Sequence, residues 1–249
     1  MRARRLLLDL NCDLGEDESD AGLARDLELL RYVTSANIAC GGHAGSEESM
    51  RRMVAACLRE GVRIGAHPSY VDRATFGRTE LEVGTEELRR SIGAQIAALR
   101  AICDECGAIV THVKPHGALY HAAMRREQVA DVVMLAARDH APTATLVGMA
   151  GRTGTKRWIA NGCRVEQEAF ADRRYEPDGE LRARRLPGAV LEDPNVAAEQ
   201  AKSIAAEGIV RLESGGAIEV PATTLCIHSD SPDAISIARA VMDAISRPV

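Results

Sequence analysis

Carboxylates, imidazoles and one lysine crowd the places where short apolar runs stop. Asn11-Cys12-Asp13-Leu14-Gly15-Glu16 follows the first run, Cys40-Gly41-Gly42-His43 the second, and His67-Pro68-Ser69-Tyr70 the third. Lys114-Pro115-His116-Gly117 follows the fourth, Glu166 and Glu168 lie in the sixth, and His228-Ser229-Asp230 follows the seventh. Asp13 can accept a proton or orient a water, and a neutral His67 or His116 can shuttle protons near pH 7. Lys114 supplies a fixed cation for a developing oxyanion or a phosphate. Asp13, His43 and His67 also form a mixed oxygen and nitrogen set suited to a divalent metal such as zinc, although no HxxH or HxxxH spacing backs it. Any one of these residues could equally be a helix cap or a satisfied structural group. Their shared position after apolar runs is what argues for chemistry, whereas His140 falls within a helical pattern.

Positions of this kind converge only if the runs are strands that end on one face. Seven apolar runs, at 6–10, 35–39, 63–66, 109–113, 145–149, 164–168 and 223–227, are continuous rather than alternating, as strands buried on both faces are. Amphipathic stretches separate them, the pattern of repeated βα units around a parallel sheet. Ser46 reads as the cap of a helix carrying Met50, Met53, Val54, Cys57 and Leu58 on one face and ending at Gly61. Thr85-Glu86-Glu87 opens a second helix, which closes at Gly107. Asp193-Pro194 and Ser231-Pro232 each read as a cap followed by proline at the first helical position. Together these signals predict one α/β domain over residues 1–249, a closed or nearly closed β/α barrel whose strand ends carry the site.

Two segments interrupt the alternation. Ser214-Gly215-Gly216 between short β-like runs predicts a hairpin near 209–220. Residues 170–192 form a long polar connection with Arg173, Arg174, Arg182, Arg184 and Arg185, which could fork onto a carboxylate or phosphate or pair with the loop's own acids.

Composition narrows the partners. Thirty-one Lys and Arg against 36 Asp and Glu give a net charge of -5 and a pI near 5.8, so no basic field holds nucleic acid or an anionic membrane. The seven cysteines are an odd number, scattered through a chain long enough to need no covalent staples. Reduced thiols, no signal-like apolar segment and no membrane span predict a cytoplasmic protein. Cys103 and Cys106 lie one helical turn apart with no second pair, which argues against a redox or metal motif. Gly151-Arg152-Thr153-Gly154 lacks the ending of a phosphate-binding loop, so no nucleotide fingerprint is found.

Beyond these patterns, several strings resemble the LamB/YcsF family, which supplies the A component of bacterial ATP-dependent 5-oxoprolinase. They are residues 9–16, residues 35–41 with His43-Ala44-Gly45, Gly65-Ala66-His67-Pro68-Ser69-Tyr70, Phe76-Gly77-Arg78 and residues 113–120. Residues 170–175 with Asp178-Gly179, Pro187-Gly188-Ala189-Val190, and His228 with Asp230 and Pro232 complete the series, in order across nearly the whole chain. The resemblance implies a seven-stranded deviant TIM-like barrel of the glycoside hydrolase/deacetylase type. It also implies ATP-driven opening of 5-oxoproline to glutamate, shared with separate B and C subunits. The chain departs from the family at Gly42, where phenylalanine is usual, at Ser46-Glu47, where Asp-Pro is usual, and at Ser229, where glycine is usual. Loss of an aromatic wall at Gly42 is expected to enlarge the pocket and could admit a larger lactam or amide.

Position and chemistry then set the expected roles. Asp13 and His67 handle water and protons, Lys114 and His116 stabilise the oxyanion or phosphoryl oxygens, and Glu166 orients the ring nitrogen or a base. Asn11, His43, Arg174, His228 and Asp230 are the expected substrate contacts. Two other readings stay open: a stand-alone metal-dependent deacetylase or amidohydrolase, and a non-catalytic subunit that presents a small acid to a partner. Homo-oligomerisation also stays open.

Overall fold

The computed structural model describes residues 7–231 and 233–246. Seven parallel strands, β1 (Asp9–Leu14), β2 (Ser35–Ala39), β3 (Arg63–His67), β4 (His112–Val113), β5 (Thr145–Met149), β6 (Val165–Phe170) and β9 (Thr224–Ile227), close into a barrel in that order. β1 completes the circle by pairing with β9, Asn11 opposite Cys226. The fold is thus a seven-stranded deviant TIM-like barrel. Between the sixth strand and the last, β7 (Ile209–Arg211) and β8 (Ala217–Glu219) form an antiparallel hairpin.

Eight helices are described, α1 (Asp20–Leu29), α2 (Glu47–Glu60), α3 (Thr85–Glu105), α4 (Gly117–Arg125), α5 (Glu127–His140), α6 (Thr153–Ala160), α7 (Pro194–Glu207) and α8 (Ala234–Ile245). Their ends follow from local chemistry. The Ser46 side chain accepts the Ser49 N–H to start α2, and Gly61, at φ 70°, ends it in the left-handed conformation that costs glycine least. Asp193 caps α7 through the Asn195 N–H, with Pro194 in the first turn. The last helix begins at Ala234 rather than at residue 232, and Pro232 lies outside the described residues.

Apolar packing lies between barrel and helices, where Leu10, Leu14, Ile38, Ile92, Ile96 and Leu99 are buried. Trp158 is buried there too, its indole N–H donating to the Ala130 carbonyl. Inside the barrel the side chains are largely polar. Because alternate strand residues share a face, Asp9, Asn11 and Asp13 all point inward and bond across the barrel. Asn11 Nδ2 donates to Thr224 Oγ1 at 2.7 Å, Asn37 Nδ2 donates to Asn11 Oδ1 and Asp13 Oδ1 at 2.8 Å each, and His112 Nε2 meets Asn37 Oδ1 at 2.9 Å. Gly65 leaves room for that ring: a Cβ there would lie 2.0 Å from His112 Nε2.

This polar interior explains where the strand boundaries depart from the apolar runs. The first strand extends through Asn11 and Asp13 to Leu14, beyond the run at 6–10, whose residue Leu6 lies outside the described residues. The fourth is only His112–Val113 instead of 109–113, and Ile109 is exposed.

Candidate active site

A cavity of about 660 Å³ opens at the C-terminal ends of the strands, with Asp13, His67, Lys114, His116, Phe170 and His228 at its base. Lys114 is the best-held of these. Its ammonium donates to Asp13 Oδ1 at 2.9 Å, lies 2.9 Å from Glu168 Oε1 and reaches Asn11 Oδ1 at 3.3 Å and Cys226 Sγ at 3.2 Å. Burial disfavours this cation, but Asp13, Cys226 and Glu168 together outweigh burial, hold its pKa above the usual lysine value and keep it charged. The reverse also holds. Burial alone would raise the Asp13 pKa, yet His67 and Lys114 hold it well below the usual carboxylate range. The Tyr120 hydroxyl donates to Glu168 Oε2 at 2.7 Å and fixes the second carboxylate.

Three histidines gather beside Asp13. His67 Nε2 lies 3.3 Å from Asp13 Oδ2 and 3.0 Å from His116 Nδ1. His43 stacks on His116 with ring centres 3.6 Å apart, and its Nε2 is 3.0 Å from Glu16 Oε1. Burial pushes the His43 pKa down to about 4, so the ring is neutral at pH 7. Among the described residues, two groups of side chains could hold a metal. One is Glu16, His43, His67 and His116; the other is Asp13, Cys226 and His228, with the ligand atoms of each group within 4.8 Å of one another. The expected trio of Asp13, His43 and His67 is therefore split between the two.

Local backbone sets these rings. Phe76 adopts φ 57°, unusual for an aromatic residue, and its carbonyl accepts from His116 Nε2 at 3.0 Å. The Phe76 ring packs edge-on against both His43 and His116. Neither Phe76 nor Gly42 lines the cavity, so the missing phenylalanine at Gly42 does not enlarge it. A Cβ at Gly42 would meet Ser69 Oγ and Gln95 Oε1 at 2.4 Å, because Gln95 reaches in to bridge the backbone N–H and carbonyl of Ser69.

The rim is rich in arginine: Arg78, Arg125, Arg173, Arg182, Arg184 and Arg185 line the cavity. Asp230 takes Arg78 at 2.9 Å and Arg184 at 2.5 Å, so it orients two rim cations. His228 lines the cavity with Nδ1 on the buried Asp172, 3.0 Å from both carboxylate oxygens.

Placement separates the expected residues. Asp13, His67, Lys114, His116 and His228 come together. Asn11 and His43 are buried behind them, Asn11 holding Lys114 and His43 holding Glu16. Glu166 is not brought to this end. It lies at the start of β6 with its carboxylate 2.9 Å from Arg63, which also pairs with Asp9 at the opposite end of the barrel. Arg174 points out of the cavity toward the Gly188 carbonyl and Glu213, and its neighbour Arg173 faces in. Glu16, Tyr120, Glu168 and Asp172 complete the site, although the sequence alone gives none of them a role.

The LamB/YcsF family model matches residues 8–248 of the chain. The A component of 5-oxoprolinase from Nocardia farcinica is 45% identical over 239 residues, covering 96% of this chain and 95% of its own. The corresponding protein of Brevibacillus brevis is 39% identical, covering 96% and 94%. Among solved structures, a lactam utilization protein from Thermus thermophilus superimposes with a TM-score of 0.88 at 39% identity, with 95% of each chain covered.

Proposed function

The chain belongs to the LamB/YcsF family, and from that premise we propose that it opens 5-oxoproline or a related lactam to the amino acid, as the A component working with B and C subunits at the expense of ATP. A five-membered lactam holds its amine at high effective molarity to its own acyl carbon and so resists net hydrolysis. ATP cleavage supplies the driving force, and phosphorylation of the lactam oxygen by the partner subunits leaves ring opening to this chain.

The observation that carries this reading is the Lys114 ammonium, clamped by Asp13 and Glu168 at the base of an arginine-rimmed cavity. A cation fixed before the reaction stabilises charge developing on the substrate oxygen without reorganising. Asp13, kept ionised, orients the attacking water and accepts its proton. Arg173 and Arg184, with His228 across the cavity, receive the carboxylate and phosphoryl oxygens.

The test is glutamate release from 5-oxoproline and ATP, with and without the B and C subunits. Activity is expected only with all three, and Asp13→Asn is expected to lower it by about 10²–10⁴-fold. An Asp13→Asn protein with full activity would refute the assignment. Amide hydrolysis by the isolated chain, independent of ATP and abolished by chelation, would instead support a stand-alone amidohydrolase.

A further inference from the structure

Hydrogen-bond partners fix which nitrogen carries the proton in two of the clustered histidines. His67 Nδ1 lies 2.8 Å from the Lys114 carbonyl, and His116 Nε2 lies 3.0 Å from the Phe76 carbonyl. A carbonyl oxygen can only accept, so each of those nitrogens bears a hydrogen and donates. In the neutral rings the other nitrogens, His67 Nε2 and His116 Nδ1, are then bare lone pairs. They face each other at 3.0 Å, with Glu16 Oε1 3.2 Å from His116 Nδ1 and 3.8 Å from His67 Nε2. Three buried acceptors aimed at one point repel unless something positive lies among them.

We infer that Glu16, His67 and His116 form a binding site for a first-row divalent cation, zinc by its donor set. Zinc takes imidazole nitrogen and carboxylate oxygen at about 2.0–2.2 Å, which places neighbouring ligands of a tetrahedron roughly 3.3–3.5 Å apart. The three separations here, 3.0, 3.2 and 3.8 Å, bracket that spacing. Donation of the remote ring nitrogen to a backbone carbonyl is the usual support for a ligating histidine. His43 lies outside the set. Stacked flat on His116, it cannot aim its own lone pair at the same point, and it instead donates Nε2–H to Glu16 Oε1. His67 and His116 line the cavity, leaving the fourth position to face Asp13 and solvent, the arrangement of a zinc site that keeps a place for water.

This inference does not rest on the lactam reading, and its test reads metal directly. Chelator-treated, full-length protein is titrated with Zn²⁺ by calorimetry and, separately, loaded with Co²⁺ for its visible spectrum. One equivalent of Zn²⁺ per chain is expected, with a Co²⁺ spectrum free of a thiolate charge-transfer band. Because even supporting partners of a ligand are worth about 10–100-fold in affinity, Glu16→Gln is expected to weaken Zn²⁺ binding by about 100-fold or more. Should that variant fold poorly, His116→Gln serves the same purpose, read as loss of the Zn²⁺-dependent rise in Tm that the parent shows. Absence of binding by Zn²⁺ and Co²⁺ would overturn the site and leave a shared proton between the two rings. A thiolate band would move the ion to Cys226, and unchanged affinity in both variants would also refute the assignment.

Discussion

At the scale of single residues, the site depends on charges that are buried but paired. Lys114 is the common partner of Asp13 and Glu168. Lys114→Met leaves those two carboxylates buried without their cation, and breaking a buried pair in this way costs about 3–5 kcal/mol. A matching fall in urea-unfolding free energy is expected along with loss of ring opening. Asp26 shifts the other way even with Arg25 3.3 Å from its Oδ1. It is buried beneath the turn after β1, accepts the Gly15 N–H at 2.8 Å, and burial raises its pKa from 3.8 to about 6. Between those values the unfolded chain releases a proton that the folded chain retains. Stability from this group is therefore greatest below pH 4 and declines as the pH rises to about 6, by roughly 3 kcal/mol. Asp26→Asn keeps an acceptor for Gly15 and is expected to remove that decline in urea titrations run from pH 4 to 7.

At the scale of elements, the sequence made visible whatever local chemistry determines. The strands at 35–39 and 145–149 match their apolar runs because their inward and outward faces are both buried, and α2 and α7 are bounded by their own caps and glycines. What stayed hidden depends on register between neighbours. Glu166 and Glu168 share one strand face, and only the pairing of β6 with β5 and β9 decides that Glu168 reaches Lys114 while Glu166 meets Arg63. The same alternation separates Arg173 from Arg174. Glu16 was visible only as the last residue of the string after the first strand, since nothing local shows that three histidines from distant segments close around it. Helix packing yields its own test. α6 approaches α4 so closely that a Cβ on Gly154 would lie 2.1 Å from the Ala123 carbonyl oxygen. Gly154→Ala must push the helices apart at a cost of about 3 kcal/mol, and thermal unfolding is expected to fall by roughly 6–12 °C for a chain of this size.

At the scale of the whole molecule, the barrel divides its work between its ends. Lys114, Asp13 and the histidines occupy the end where active sites of such barrels lie, and Asp9, Arg63 and Glu166 brace the other. Glu166→Gln is accordingly expected to leave the ring-opening rate unchanged and to lower stability by less than about 1 kcal/mol, since Arg63 is partly solvated. A variant that lost activity at native stability would show that the two ends communicate. Closure of the ring carries a consequence for biosynthesis. The strand that bears Asp13 pairs with one that begins at Thr224, and Lys114 lies against Cys226. At about 5–20 residues per second, a ribosome needs roughly 10–40 s to travel from the first of these strands to the last. For that interval one side of β1 waits for a partner not yet made, so the nascent chain depends on whatever shields an open edge until its final residues emerge.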